Sequence, residues 1–503
     1  MSPPRILLIN PTITSSRSAR FPLAVLNLAA ALQPRYETRI LDGNVDRAFV
    51  DTARDAVRGG DFAAVGVSVM GGPQLPRAIA VSKAIRAVSP HTPIVWGGQF
   101  PTICPQAVLA EPYVDYAIRG QGEAAFAELL ALLSDDGAQT VQQIAGLSWR
   151  DGAQLMHNTD RAFSTAGLAQ TLPYETLEDP GQYLKSTYLG RRTAGYQAAL
   201  GCRFRCTFCG VAAMFRGKTA LPTAARLEQD LSFLKRRFGA DALQFYDHNF
   251  FDREVDMVPL LEILARFELP WWCFARSDAL LNLSESSWKL VRKSRLRMAY
   301  IGAESPNDRM LHDMRKGTRS DQTLEVVERC RSQGVIPELS FMLAPPKDPE
   351  GETERTFEFI RRIKRRHPAT EIMLYVYTPL PPRRHGGGPA NAPPTAPLRD
   401  CAGNPVVFPD RAQEWAQPHW VDYWCHHDAP WVSERLRQRI LDFTTVLGCR
   451  FPTVTDIRSP SWGKSALRGL AAWRYRYRRY ERPWELNWSK RLIPLHDPRV
   501  SSL

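Results

Sequence analysis

Twice along this chain, short apolar runs that stop at small or polar residues alternate with amphipathic helical patterns. That rhythm restricts the fold to parallel strands with helices laid across them. In residues 1–135 the runs Ile6–Asn10, Ala64–Met70, Pro93–Trp96 and Val114–Ile118 predict buried strands. Pro22–Gln33, opened by proline and carrying Leu23, Leu26, Leu28 and Leu32 on its apolar side, predicts a helix, as does Ala78–Val88. The expected unit is Rossmann-like, and such sheets bind ligands beyond the carboxyl ends of their strands. Those ends carry Asn10-Pro11-Thr12, then Ser68 with Met70-Gly71-Gly72, Gly97-Gly98-Gln99, and Gly120 to Glu123. Small residues collect there, where a large cofactor needs close approach to backbone.

Residues 136–190 read as a connection with a hairpin over Gly146–His157, turning at Asp151-Gly152. From Tyr196 the rhythm resumes in longer units. Strands are predicted at Tyr196–Leu200, Ala242–Asp247, Trp271–Ala275, Met298–Gly302, Ile336–Leu343 and Ile372–Tyr377, with helices at Thr223–Phe238 and Ser284–Lys293 among those between. Six βα units predict a partial (β/α)6 barrel of the TIM type over residues 191–385, with its chemistry at the C-terminal strand ends. The stretch Gly386-Gly387-Gly388 to Pro397 reads as a flexible spacer. Residues 386–503 are rich in tryptophan, mainly helical by expectation, and assigned to shaping the substrate site.

Nine cysteines, odd in number and irregular in spacing, do not describe a disulfide scaffold. Three of them fall within eight residues, in Gly201-Cys202-Arg203-Phe204-Arg205-Cys206-Thr207-Phe208-Cys209-Gly210. Three thiolates on one loop between strand and helix can hold three irons of a [4Fe–4S] cubane and leave the fourth iron open. A structural zinc site is the rival reading, and it needs a fourth ligand from His248 or a distant cysteine. Core cysteines without a metal are a third reading, opposed by the flanking Arg203, Arg205 and glycines.

Cys202, Cys206 and Cys209, with aromatic Phe208 before the last of them, resemble the cluster motif of the radical S-adenosylmethionine superfamily. The resemblance implies an open iron chelated by the methionine moiety, and reductive cleavage of the sulfonium to a 5′-deoxyadenosyl radical. Further strand ends agree in order. Ile301-Gly302-Ala303-Glu304-Ser305 resembles the fourth-strand motif, whose Glu contacts S-adenosylmethionine, and Phe245-Tyr246-Asp247-His248-Asn249 resembles the second-strand motif of the cobalamin-dependent branch. The Gly-Gly-Glu-Pro sequence common elsewhere in the superfamily is missing, which leaves the methionine amino contact to Tyr246, Asp247 or backbone. Arg276 ends the third strand and completes the expected S-adenosylmethionine set of Phe208, Tyr246, Asp247, Arg276 and Glu304.

Under the same resemblance the first unit is the cobalamin domain. Its expected contacts are Thr12, Ser68, Met70, Gly71, Gly72, Gly97, Gly98, Gln99, Gly120 and Glu123. No Asp-x-His-x-x-Gly occurs, so no histidine is indicated below cobalt, and the loop Met70–Pro73 is expected to face it. A vestigial domain without cofactor is the alternative. The implied reaction is methyl transfer to an unactivated carbon of a small molecule, with Tyr377, His248 or Arg276 orienting substrate and no catalytic side chain beyond the cofactors. The resemblance extends to the anaerobic magnesium-protoporphyrin monomethyl ester cyclases, so oxidative cyclisation or ring rearrangement is a second reading. A non-catalytic cobalamin sensor or carrier is a third. An external electron donor such as flavodoxin or ferredoxin is implied.

The net charge of +13 is partly local. Arg361-Arg362 with Lys364-Arg365-Arg366 forms one cluster, and Arg474–Arg482, with Trp473, Trp484 and Trp488 around it, forms another. Either can cover aromatic packing with long side chains or bind an acidic substrate or membrane surface; no nucleic-acid partner is expected. Met1–Arg5 run straight into a strand, and no apolar stretch is long enough to span a bilayer, so the expected location is the cytoplasm. Cys425-His426-His427 with Cys449 could suggest a second metal site, but adjacent side chains diverge, and a polar helix end is the favoured reading.

Overall fold

The computed structural model describes residues 3–134, 140–382, 397–454, 456, 460–493 and 495. Residues 386–396 of the expected spacer lie outside them. The first sheet contains β1 (Arg5–Asn10), β2 (Glu37–Asp42), β3 (Phe62–Ser68), β4 (Ile94–Gly97), β5 (Tyr116–Ile118), β6 (Leu147–Asp151) and β7 (Gln154–His157). Its order is β2-β1-β3-β4-β5-β6-β7; the first five strands are parallel, and the hairpin β6–β7 adds antiparallel to β5. The predicted hairpin therefore extends the first sheet. Strand β2 escaped the sequence reading because it is an edge: Glu37, Thr38 and Arg39 face outward or half-outward, and only Ile40–Asp42 are buried. Helix Phe49–Gly59 was missed with it; its buried face is Phe49, Ala53 and Val57.

The second sheet is the open barrel. Six parallel strands follow one another in chain order: β8 (Thr193–Tyr196), then, after the ribbon strands β9 (Leu200–Gly201) and β10 (Thr219–Ala220), β11 (Ala242–Phe245), β12 (Trp271–Ala275), β13 (Leu296–Glu304), β14 (Ile336–Leu343) and β15 (Glu371–Val376). The first strand was expected at Tyr196–Leu200 and lies earlier. The chain leaves the sheet after Tyr196, where the buried Asp247 carboxyl group accepts the backbone N–H of Ala199. Phe341 meets Phe359 of helix Pro349–Arg366, so alternate residues turn outward to the helices. The others turn inward, where Trp272, Phe274 and Tyr300 pack ring against ring and Tyr300 reaches the Tyr375 hydroxyl at 3.3 Å.

Beyond the barrel, the segment 405–432 ties both sheets together. Glu111, fully buried, accepts Arg411 at 3.1 Å and the Gln413 amide at 2.9 Å, and Phe100 packs on Trp415 and Trp424. On the barrel side Tyr423 donates to Pro379 O at 2.6 Å and Trp431 to Ala344 O at 2.9 Å. Helices Glu434–Arg450, Ser461–Arg476 and Trp484–Leu492 follow, with Phe443 stacked on Phe357 at 3.7 Å. The Arg361–Arg366 cluster covers aromatic packing: Arg361 lies over Tyr475, Arg362 over Phe359, and buried Lys364 over Phe451. No helix among the described residues is long and apolar enough to cross a membrane.

Candidate active site

The loop bearing Cys202, Cys206 and Cys209 is gripped at both ends. The antiparallel ribbon β9–β10 closes it at the base, and Cys209 caps helix Gly210–Phe215. Between these points the Thr207 N–H donates to Met314 O at 3.1 Å, and the Thr207 and Tyr377 hydroxyls lie 3.1 Å apart. Phe208 is buried with Cys206, Met310, Met314, Met342 and Tyr377. Burial raises the Cys202 thiol pKa and pushes that of Cys209 up to about 11, with Cys206 adding to both. Uncharged thiols in such a pocket are poised to be ionised by a cationic ligand. Among the described residues no three His, Cys, Asp or Glu side chains converge as a single-ion site. Zinc needs its donors at one centre, at about 2.0–2.3 Å, whereas each thiol of a cubane takes its own iron. Three free thiols on one short loop are the donor set that such a cluster takes.

Beside the loop, Glu304 ends β13 in the left-handed region, with φ 59°, and is buried. Lys316 Nζ donates to its Oε1 at 2.7 Å. Burial works to lower the Lys316 pKa, but the Glu304 carboxylate and, once ionised, the Cys206 thiolate outweigh it and raise it. Gly302 leaves room for the pair in this arrangement, because a Cβ there would displace the ends of both side chains. Lys316 was not anticipated: its partner lies across a turn, and nothing in the local pattern marks a buried lysine. Arg276 stacks over Phe204 with its Cζ 3.5 Å from the ring centroid, forks onto Asp278, and donates to Lys316 O at 2.6 Å. Its guanidinium braces the loop from below.

Tyr246 and Asp247, adjacent in sequence, point opposite ways. Tyr246 turns into the barrel, donates to Gln244 at 2.9 Å and lies under the Arg20 guanidinium. Asp247 is fully buried at the entry to the cysteine loop; one oxygen takes the Ala199 N–H and the other has no hydrogen-bond partner. Burial raises its pKa to about 8 despite the N–H groups of Ala199 and Ala198. It is seated to position the loop. His248 is enclosed beside Phe215, and burial lowers its pKa to about 4.

Between the two sheets lies a cavity of about 300 Å³. Ser68, Met70, Gly97, Gly98, Gln99, Gly120 and Glu123 line it from the first sheet, with Asn27 and Gln121; Gln197, Leu200, Val211, Met214 and His248 line it from the cysteine-loop side. Gly97 opens onto it with no atom within 4 Å of an added Cβ. Gly98, at φ 104°, has the Val69 carbonyl oxygen 2.9 Å from that position. Burial raises the Glu123 carboxyl pKa. A backbone cradle with amide side chains around it fits the appendages of a large, hydrogen-bonding cofactor.

Three of the expected contacts lie outside this wall. Thr12 donates to Gly43 O at 2.7 Å. Gly71 and Gly72, both at positive φ, are covered from the C-terminal segment: a Cβ on Gly71 would overlap the Trp424 indole, and one on Gly72 would stand 2.9 Å from Cys425 Sγ. The loop is held by Gln74, which accepts the Met70 N–H at 2.7 Å and donates to Pro11 O at 2.8 Å. His426, at φ 58°, follows Cys425; its carbonyl accepts the Val376 N–H at 2.7 Å and its Nδ1 bonds Thr378. Its ring faces Tyr375, and burial with neighbouring His427 lowers its pKa to about 4. Cys449 is buried in helix Glu434–Arg450, so the four residues form no metal site among the described residues. His426 is instead a side chain at the barrel mouth, overlooked because only the closure of the C-terminal segment brings it there.

A thiol loop at the end of a parallel barrel, facing a glycine-lined cavity in a doubly wound sheet, defines a two-cofactor enzyme of the α/β class. The B12 binding domain matches residues 10–130, and the Radical SAM superfamily matches residues 196–360. The chain thus carries a B12 binding domain followed by a Radical SAM domain, the pair found in cobalamin-dependent radical S-adenosylmethionine enzymes, and the cofactors of these domains are a [4Fe–4S] cluster, S-adenosylmethionine and cobalamin. It is 24% identical over 347 residues to an uncharacterized methyltransferase of Pyrococcus horikoshii, covering 68% of this chain and 73% of that protein. It is 23% identical over 310 residues to the anaerobic magnesium-protoporphyrin IX monomethyl ester cyclase of Synechocystis, covering 59% of this chain and 58% of the cyclase. The fold is shared with the radical S-adenosylmethionine methyltransferase TsrM from Kitasatospora setae, solved with cobalamin and a [4Fe–4S] cluster bound. The TM-score is 0.60 and the identity 18%, over 74% of this chain and 72% of that one.

Proposed function

We propose that this enzyme transfers a methyl group to an unactivated carbon of a small-molecule substrate. The observation that carries the reading is the shared cavity: the strand-end glycines of the first sheet and residues beside the cysteine loop line one space. When bound, the cluster supplies the electron that cleaves S-adenosylmethionine, and cobalamin supplies a transferable methyl group. Cys202, Cys206 and Cys209 would hold the cluster, and Gly97, Gly98, Gln99, Gly120 and Glu123 the cobalamin. Glu304, kept in place by Lys316, presents its carboxylate beside the cysteine loop for S-adenosylmethionine, and Phe208 and Tyr246 complete the proposed contacts. Arg276 and Asp247 hold the loop rather than reach the ligand. Tyr375, Tyr377 and His426 orient substrate at the barrel mouth, and the aromatic interior excludes water from the reacting atoms. An external one-electron donor such as flavodoxin or ferredoxin serves the cluster.

Oxidative cyclisation without methyl transfer is the second reading, favoured by the similarity to the cyclases. Turnover with S-adenosylmethionine labelled at the methyl group separates the two: label in the product supports methyl transfer, and an unlabelled, oxidised product supports cyclisation. Absence of 5′-deoxyadenosine release, with the cluster present and reduced, would favour a cobalamin carrier instead.

A further inference from the structure

Helices Ser461–Arg476 and Trp484–Leu492 each bury one side and leave a stripe of large apolar side chains uncovered. On the first, Trp462, Ala466, Leu470 and Trp473 recur at helical spacing on the exposed face, continued by Tyr477, while Gly463, Leu467, Ala471 and Tyr475 are buried on the other. On the second, Trp484, Trp488 and Leu492 are exposed at four-residue spacing, 75%, 62% and 69% respectively, while Leu486 is buried. Among the described residues every exposed tryptophan lies on these two helices. Single exposed apolar residues are ordinary, but continuous stripes on adjoining helices mark a surface that meets something. The helices are held as a unit: Arg474 pairs with Glu485, and Gly463 packs on Ile493.

Charge selects the occupant. Residues 461–492 contain nine Lys or Arg and two Glu. Both carboxylates are engaged within the protein, Glu481 by Arg439 and Glu485 by Arg474, whereas Arg468, Arg476, Arg479, Arg482 and Arg491 are exposed. A second copy docked on the same face would oppose cations to cations. Tryptophan and leucine flanked by arginine is the chemistry of the interface between lipid headgroups and acyl chains, where the indole sits at headgroup depth and the cations meet anionic lipid. We propose that this face binds in the plane of an anionic bilayer and seats the enzyme on the membrane surface. The proposal is independent of the reaction catalysed.

Co-sedimentation of the full chain with phosphatidylcholine vesicles, with and without phosphatidylglycerol, tests it. Binding to the anionic vesicles alone, accompanied by a blue shift of tryptophan fluorescence and lost at high salt, is the expected result. Trp484→Ser and Trp488→Ser should each weaken it about tenfold, and Arg479→Gln and Arg482→Gln about fivefold each. These side chains are outside the core, so far-ultraviolet circular dichroism and the melting temperature should be unchanged; if one variant unfolds, Trp462→Ser and Leu470→Ser carry the same test. No vesicle binding by the folded wild-type chain at low salt overturns the proposal. So does a dimer in solution that Trp484→Ser dissociates, or binding to single-stranded DNA in place of vesicles.

Discussion

The side-chain amide of Gln99 rests on Gly210, so closely that a Cβ on that glycine would overlap it. Gln99 begins the helix after β4, and Gly210 directly follows Cys209. The loop expected to meet cobalamin and the loop expected to hold the cluster are thus in direct contact.

Gly210→Ala should therefore strain this contact and lower stability by about 1–3 kcal/mol, the usual cost of overpacking. Gln99→Ala alone should cost less, and the double variant should recover most of the loss. Urea unfolding of the four proteins measures the coupling; strictly additive effects would show that the two residues do not touch.

Cofactor retention should separate cleanly between the two units. Leucine at position 97 meets no atom at its Cβ and projects into the cavity, so Gly97→Leu should weaken cobalamin binding about tenfold or more by occupying its space. Its iron content should stay near ~4 per chain. Cys202→Ala should do the reverse, losing the cluster absorbance while binding cobalamin. Loss of both cofactors in either variant would mean that the sites are not independent.

Glu304 and Lys316 form a buried pair. Lys316→Met strands the carboxylate and should cost about 3–5 kcal/mol, with Glu304→Gln in the same chain restoring part of it. The Lys316 pKa is raised in the folded state. Its contribution is accordingly complete below about pH 10.4, the unfolded value, and fades as pH climbs past it. Thermal denaturation at pH 8 and pH 11 checks both statements.

Acid should destabilise the protein through His426 and His248. Each is held neutral down to about pH 4 in the fold, whereas an unfolded histidine protonates near ~6.5. Between those values the unfolded chain binds more protons, so stability falls as pH drops, by at most ~3 kcal/mol per residue. Asp247 runs the other way. Its pKa of about 8 means that the folded chain carries the extra proton above ~3.9, and stability falls as pH rises from there toward 8. His426→Gln should flatten the acid limb of a stability-against-pH curve, and Asp247→Asn the opposite limb; an unchanged acid limb in His426→Gln would mean that the imidazole is not held neutral.

Most of the barrel was legible in the chain because its strands are short, largely apolar runs that stop at glycines or polar ends; β12 and β14 fall where the pattern places them. The three cysteines were legible for a stronger reason, since ligands on one short loop carry their chemistry in their spacing. Sequence alone thus determined two parallel α/β units and a thiol loop suited to a cubane. Contacts between residues far apart in the chain decided the rest. Asp247 holds Ala199 beyond the first barrel strand, Lys316 neutralises Glu304, Trp424 covers Gly71, and His426 is carried to the barrel mouth by Val376. Periodicity reports which face of an element is buried, not what it is buried against. Which strand ends share a cavity, and what closes over them, is set by packing between elements and appears only when the chain is folded.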